Sequence, residues 1–175
     1  SELFDRLGLR CAMIGHLQTN KIRHVVGSAS ELHSLDRLDL AEKLDRRLQS
    51  EGTSLDVFVQ VNSSGEASKF GLDPGDVVAF ARAIEPMDTL RVRGLMTLAV
   101  FSDERARVER CFVTMTELRE QLRQELSDPE RYAEMSMGMS GDYELAIEHG
   151  ATTVRVGQAI FGARPTTDAL YWPAD

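Results

Sequence analysis

Short apolar segments alternate with amphipathic segments along the whole chain. Five apolar segments have the length of buried strands, at residues 11–15, 55–61, 92–98, 134–137 and 152–156. A shorter segment of the same kind lies at residues 31–34. Because a repeated strand and amphipathic helix build parallel sheets with crossover connections, the pattern predicts an α/β fold.

Two helices are indicated by their spacing and end signals. The segment 104–126 repeats apolar residues at three- and four-residue steps, namely Val108, Phe112, Met115, Leu118, Leu122 and Leu126. This periodicity predicts a long helix with one buried face. A second helix is predicted to begin at Asp142 and to end at Gly150, which accepts the left-handed conformation typical of a helix end.

Polar residues follow several predicted strands. These residues, with one glycine among them, are His16, Gln18, Asn62, Ser63, Thr97, Ser140, Gly157 and Gln158. Periodicity alone does not separate an open doubly wound sheet from most of a (β/α)8 barrel. Because ligands bind at the carboxyl-terminal mouth of a barrel, these strand ends favour a barrel of the TIM type.

Composition narrows the class of partner. The formal net charge of −8 argues against non-specific nucleic-acid binding, which relies on Lys and Arg. No apolar run is long enough for a membrane span, and no leader-like segment opens the chain. The two cysteines, Cys11 and Cys111, give no disulfide framework. We therefore expect one domain over residues 1–175, a cytoplasmic protein, and a small-molecule partner.

The segment 136–142 combines the properties of an anion cradle. It runs from a strand into a helix and contains glycines, the Ser140 hydroxyl and the free N–H groups of a helix start. A helix dipole favours negative charge at this end. The alternative interpretation is that Ser140 and Asp142 only cap the helix.

A second element lies immediately downstream and supports the cradle. Gly157 and Gln158 follow the last predicted strand, and barrels commonly bind phosphate between the loops after their last two strands. Arg155 alternates with Val154 and Val156, so its side chain leaves the opposite face of the strand. Inside a barrel that charge needs a ligand or an acid, and a structural ion pair is the alternative.

Two other polar segments carry weaker signals. His16, with Gln18 and Lys21 close behind it, makes no metal-ligand spacing with the other histidines. Lys69 lies in a loop of small residues after a strand, and a solvated lysine is the favoured interpretation over an anion contact.

Six blocks occur in an ordered series that resembles the pyridoxal phosphate homeostasis proteins. The blocks are HLQTNK at 16–21, VQVN at 59–62, KFG at 69–71, RGLMT at 93–97, SMGMS at 136–140 and VRVGQAIFG at 154–162. The resemblance extends from Cys11 to Pro165. It implies a barrel like the N-terminal domain of alanine racemase, binding pyridoxal 5′-phosphate (PLP) as a carrier or buffer without turnover.

The resemblance also implies roles for single residues. Ser140, Gly157 and Gln158 correspond to phosphate contacts, Met139 to a neighbour of the phosphate or ring, and Arg155 to the partner of the pyridine nitrogen. The family's first two barrel strands have no counterpart before Cys11. The lysine that forms the Schiff base with PLP is therefore expected upstream of this chain.

Two alternatives to a carrier stay open at this point. One is a PLP-dependent amino-acid racemase or decarboxylase on the same barrel, although Tyr132, Tyr143 and Tyr171 have no recognisable catalytic context. The other is an interaction module that has lost the cofactor. We expect a monomer or a weak dimer.

Overall fold

The computed structural model describes residues 6–162 and contains one sheet of six parallel strands. The strands are β1 (Ala12–Met13), β2 (Glu31–Leu35), β3 (Leu55–Val61), β4 (Leu90–Thr97), β5 (Glu134–Met139) and β6 (Thr153–Arg155). Each strand pairs in parallel with the next one along the chain. The sheet therefore grows in sequence order, as in a barrel.

An α-helix lies between each pair of consecutive strands. The α-helices are α1 (Ile22–Val26), α2 (Leu38–Glu51), α3 (Val77–Ile84), α4 (Arg105–Glu125), α5 (Tyr143–Glu148) and α6 (Gln158–Phe161). Three 3₁₀ turns lie at Thr19–Lys21, Pro74–Asp76 and Pro129–Tyr132. No helix within residues 6–162 is long and apolar enough to cross a membrane.

The sheet is strongly curled. His33 on β2 and Ser136 on β5 are in side-chain contact, with 3.0 Å between Nδ1 and Oγ, although β3 and β4 lie between their strands. In a flat sheet, strands three places apart are separated by roughly 14 Å. The six strands thus form a half-barrel with a concave inner face. The barrel prediction is confirmed over the open sheet.

The hydrophobic core lies between the convex face of the sheet and the helices. On β3, Val57, Val59 and Val61 are buried in the same cluster as Phe112 and Leu122 of α4. The predicted apolar face of α4 is confirmed, since Val108, Met115 and Leu118 are also buried. Side chains at alternate strand positions point the other way and line the concave face.

Some boundaries differ from those that the sequence predicts. The segment 11–15 contributes only Ala12–Met13 to the sheet, because β1 lies at the edge and pairs with β2 alone. The strand predicted at 134–137 continues to Met139. The helix predicted from Asp142 begins at Tyr143, and Gly150 lies just beyond its end with a φ of 83°, as predicted.

Candidate functional site

The carboxyl ends of β3 to β6 gather the predicted polar residues at one edge. In the register of the sheet Val61 lies beside Thr97, and Met139 lies beside Arg155. Ser140 therefore follows β5, and Gly157 follows β6, at neighbouring points on this edge. The two turns proposed as an anion cradle are adjacent because their strands are paired.

Arg155 lies on the concave face and is held by uncharged acceptors. Its Nη1 donates to Ser136 Oγ at 2.7 Å, and its Nη2 donates to the Thr97 carbonyl oxygen at 2.7 Å. No carboxylate among residues 6–162 forms an ion pair with it at 4.0 Å or less. Burial lowers the pKa of Arg155 to about 10, and the charge of Asp142 opposes that shift. The guanidinium is therefore still charged at neutral pH.

His33 belongs to the same group of side chains, and the sequence alone assigned it no role, since it makes no metal-ligand spacing with His16. Its Nδ1 lies 3.0 Å from Ser136 Oγ, and its Nε2 lies 2.7 Å from Glu31 Oε2. Its ring packs against Phe58, with 4.1 Å between ring centroids. Burial lowers the pKa of His33, and the nearby Glu31 opposes that effect. The sequence signal that could have identified it is the position of His33 within a predicted strand, between Leu32 and Leu35.

The turn after β5 is closed by Asp142. Its carboxylate accepts a hydrogen bond from the Met139 N–H at 2.5 Å, while no side chain caps the N-terminus of α5. Within residues 6–162 the Ser140 hydroxyl has no hydrogen-bond partner, and Ser140 is half-buried beside a surface cleft shared with Ser102 and Arg105. The capping alternative therefore does not describe Ser140 or Asp142.

Gly138 is the position at which this turn needs a glycine. Its φ is +94°, and a Cβ there would lie 2.6 Å from the Ala146 Cβ. Close packing of the turn on α5 therefore excludes a side chain.

The turn after β6 is exposed. Gly157 precedes α6 and Gln158 begins it, and the leading N–H groups of this short helix have no intrahelical acceptor. Met139, 38% exposed, stands beside this turn through its pairing with Arg155. The edge thus offers backbone donors, an amide and a thioether next to a half-buried cation.

The loops after β1 and β3 are tied together at the same edge. His16 stacks on Phe70, with 4.2 Å between ring centroids. Lys69 donates to the Ala99 carbonyl oxygen at 2.9 Å and pairs with Glu66 at 2.5 Å. The expectation of a solvated Lys69 was wrong, because these two contacts anchor its ammonium group and leave 24% of the side chain exposed.

Comparison with known families and structures agrees with this architecture. The model of the alanine racemase N-terminal domain matches residues 7–165. A pyridoxal phosphate homeostasis protein from Pseudomonas aeruginosa is 42% identical over 164 residues, which cover 94% of this chain and 68% of the relative. Another from Aquifex aeolicus is 36% identical over 163 residues, covering 93% and 71%.

Two solved structures add a comparison of folds. The PipY structure from Synechococcus elongatus, described with PLP bound, superposes with a TM-score of 0.84 at 35% identity, covering 92% of this chain and 74% of PipY. An alanine racemase from Clostridium difficile has a TM-score of 0.76 at 16% identity and shares the fold, with 91% and 41% covered. This chain belongs to the pyridoxal phosphate homeostasis protein family, built on the alanine racemase N-terminal barrel.

Proposed function

We propose that this chain binds PLP at the carboxyl edge of the half-barrel and acts as a carrier of the cofactor without turnover. The observation that carries the proposal is Arg155, a cation on the concave face that only neutral acceptors hold. A charge withdrawn from much of the solvent in this way is costly unless a ligand or an acid completes its surroundings. The names of the relatives and the PLP described in PipY support the choice of ligand.

Arg155 suits the pyridine nitrogen of PLP. Two of its nitrogens donate to Ser136 and Thr97, and a guanidinium has five N–H donors in all. The remaining donors are available to an acceptor. PLP supplies an electron-withdrawing ring when it is bound, and an arginine at the ring nitrogen weakens that effect because it does not release its proton. Holding the cofactor in a less reactive form fits a carrier.

The adjacent turns suit the phosphate. Ser140 offers a free hydroxyl, and Gly157 and Gln158 offer the N–H groups at the start of α6. The Asp142 carboxylate closes the other side of the first turn and repels anions. We therefore place the phosphate toward Gly157 and Gln158, with Ser140 and Met139 at its flank.

We propose that the contact between this chain and PLP is non-covalent. The chain has three lysines, Lys21, Lys43 and Lys69, and none of them lies in a strand. Lys43 is on α2, where it pairs with Asp39, and Lys69 is anchored to Ala99. A few charge-assisted bonds, each about 1.5–3 kcal/mol, then have to offset the loss of ligand freedom.

The test is a titration of the chain with PLP, followed by absorbance, in the absence and presence of inorganic phosphate. We expect weak, reversible binding that phosphate inhibits by competition, and a loss of about tenfold or more in affinity for Arg155→Ala. Borohydride treatment and peptide mapping should find no stoichiometric adduct. Unchanged affinity in Arg155→Ala, or an adduct on Lys21, Lys43 or Lys69, would overturn this assignment.

The alternative of a racemase or decarboxylase has no observation in its favour among the described residues. Tyr132 is 2% exposed, and burial raises its pKa, so it is poorly placed to exchange a proton with a substrate. Tyr143 begins α5, and Tyr171 lies outside the described residues. The cysteines Cys11 and Cys111 are unpaired, which is consistent with our proposal of a cytoplasmic carrier.

A further inference from the structure

A series of hydrogen bonds, buried at its centre, crosses the concave face from β6 to β2. It joins Arg155 Nη1 to Ser136 Oγ at 2.7 Å, Ser136 Oγ to His33 Nδ1 at 3.0 Å, and His33 Nε2 to Glu31 Oε2 at 2.7 Å. Ser136 and His33 are 0% and 1% exposed. Because water does not reach these two side chains, their hydrogen-bonding groups must be satisfied by one another.

The direction of these hydrogen bonds follows from the chemistry of the groups. A guanidinium has donors only, so the Ser136 oxygen accepts the bond from Arg155. Among residues 6–162, the acceptor within reach of the Ser136 proton is Nδ1 of His33. Nδ1 therefore carries no proton, and the ring proton is on Nε2, which donates to Glu31.

The opposite arrangement leaves groups unsatisfied. If Nδ1 of His33 carried the proton, the Ser136 hydroxyl would have no acceptor in a buried position. In the neutral ring, an unprotonated Nε2 would then face the Glu31 carboxylate. A doubly protonated ring would place a second cation against the oxygen that already accepts from Arg155.

We propose that His33 is a positioning residue for Arg155. As the neutral tautomer protonated on Nε2, it fixes the Ser136 hydroxyl as an acceptor for the guanidinium. Ser136 and the Thr97 carbonyl then hold the guanidinium plane at two points, and its remaining donors face the ligand. That last step rests on the proposed binding of PLP, whereas the hydrogen-bond directions do not.

Glu31 connects this network to the rest of the sheet. Its other carboxylate oxygen pairs with Arg10 at 2.8 Å, so the carboxylate that orients His33 is itself fixed. The position of Arg155 on β6 thus depends on β2, four places away in the sheet. A change at His33 should therefore be felt at the ligand without direct contact.

The first test needs no ligand. Long-range proton–nitrogen correlation spectra of the histidine side chains distinguish the two neutral tautomers from the protonated ring. We expect His33 to be neutral with its proton on Nε2 near neutral pH, and its Nδ1 resonance to shift in Ser136→Ala. The Arg155 guanidinium resonances should broaden or shift in the same variant. A proton on Nδ1, or Arg155 signals that do not change, would overturn the proposal.

The second test measures PLP affinity in matched variants. Ser136→Ala and His33→Leu should weaken PLP binding about fivefold to tenfold, whereas His33→Asn, which keeps an acceptor near the Nδ1 position, should restore most of it. Ser34→Ala is the control, because Ser34 is a buried neighbour on β2 whose hydroxyl has no partner within residues 6–162. Affinity for inorganic phosphate should stay unchanged in all four variants. Inorganic phosphate lacks the pyridine ring whose nitrogen is proposed to contact Arg155.

A double variant separates positioning from a general loss of structure. Adding Ser136→Ala to Arg155→Ala should cause no further loss of PLP affinity, because Ser136 acts through Arg155. An additional loss as large as in the wild-type background, or His33→Asn as weak as His33→Leu, would contradict the proposal. If the wild-type chain does not bind PLP at all, the proposed function fails, and the histidine and arginine resonances decide the positioning role alone.

Discussion

At the scale of residues, the site depends on side chains that the sequence brings together only through the curl of the sheet. Arg155 was predictable from the alternation of β6 and from the family resemblance. His33 was not, because its contact with Ser136 joins positions 103 residues apart. Local pattern predicts which face a side chain takes, but the partner on that face is decided by tertiary structure.

Gly94 on β4 is a residue at which any side chain should be excluded. A Cβ added there would lie 1.7 Å from the Glu134 carbonyl oxygen, a backbone atom that cannot move aside without breaking the β4–β5 pairing. We expect Gly94→Ala to lower the free energy of unfolding by about 3 kcal/mol or more. Urea denaturation of both forms gives the measurement.

Gly75→Ala is the matched control for that substitution. No atom lies within 4 Å of a Cβ at Gly75, in the 3₁₀ turn Pro74–Asp76. Its denaturation midpoint should stay close to the wild-type value, with a change in stability within about 0.5 kcal/mol. Equal midpoints for Gly94→Ala and Gly75→Ala would show that β4 and β5 are not as close as described.

The buried His33 should make stability depend on pH. Burial lowers its pKa below the ordinary value of 6.5, so the unfolded chain takes up the proton first as pH falls. The contribution of neutral His33 to the free energy of unfolding is therefore complete above pH 6.5. It declines as pH falls below that value and stops declining once the folded-state pKa is passed. Burial sets most of this effect, and the charges of Glu31, Arg155 and Glu134 modify it.

Urea midpoints at several pH values from about 7.5 to about 5 measure this dependence. We expect the wild type to lose more stability over this range than His33→Asn, which has no group to titrate there. Glu66 and Glu85 contribute below their ordinary value of 4.5, since their pKa values are lowered, and so act outside the range. The same slope in both proteins would mean that His33 takes up its proton freely in the folded state.

At the scale of elements, the regular helix α4 was predicted well and the irregular elements were not. The apolar positions of α4 repeat for more than five turns, so the pattern fixes both its length and its buried face. The edge strand β1 keeps two residues, because an apolar segment without a second neighbour gains little from extending. The helix α2 was also predictable from the sequence. Its buried leucines recur every four residues at Leu40, Leu44 and Leu48, and Gly52 ends it in the left-handed conformation.

The buried face of α4 gives a direct prediction about the core. Phe112 is 0% exposed, and its truncation leaves a cavity between the helix and the sheet. We expect Phe112→Ala to lower the free energy of unfolding by about 3–5 kcal/mol. Glu117→Ala, on the exposed face of the same helix, should change it by less than about 0.5 kcal/mol. A loss below about 1 kcal/mol for Phe112→Ala would contradict the packing of this face.

At the scale of the whole molecule, the curl of the six strands creates the site. Parallel pairing puts the carboxyl ends of β3 to β6 at one edge. The curl then brings Arg155 within reach of Thr97 and His33 within reach of Ser136. The order of the motifs predicted this barrel, whereas periodicity alone left an open sheet as an equal alternative. The chain covers 68% and 71% of the two relatives compared above, and the function of those longer proteins enters here as a proposal.

The central claim is that PLP binds at this edge with its ring nitrogen at Arg155 and its phosphate at the two turns. A crystal structure of the chain grown with PLP tests it most directly. We predict phosphorus in contact with both Ser140 and the Gly157–Gln158 turn, and the ring nitrogen within hydrogen-bond distance of the Arg155 guanidinium. PLP bound at another surface, or at this edge with its ring turned away from Arg155, would contradict the account.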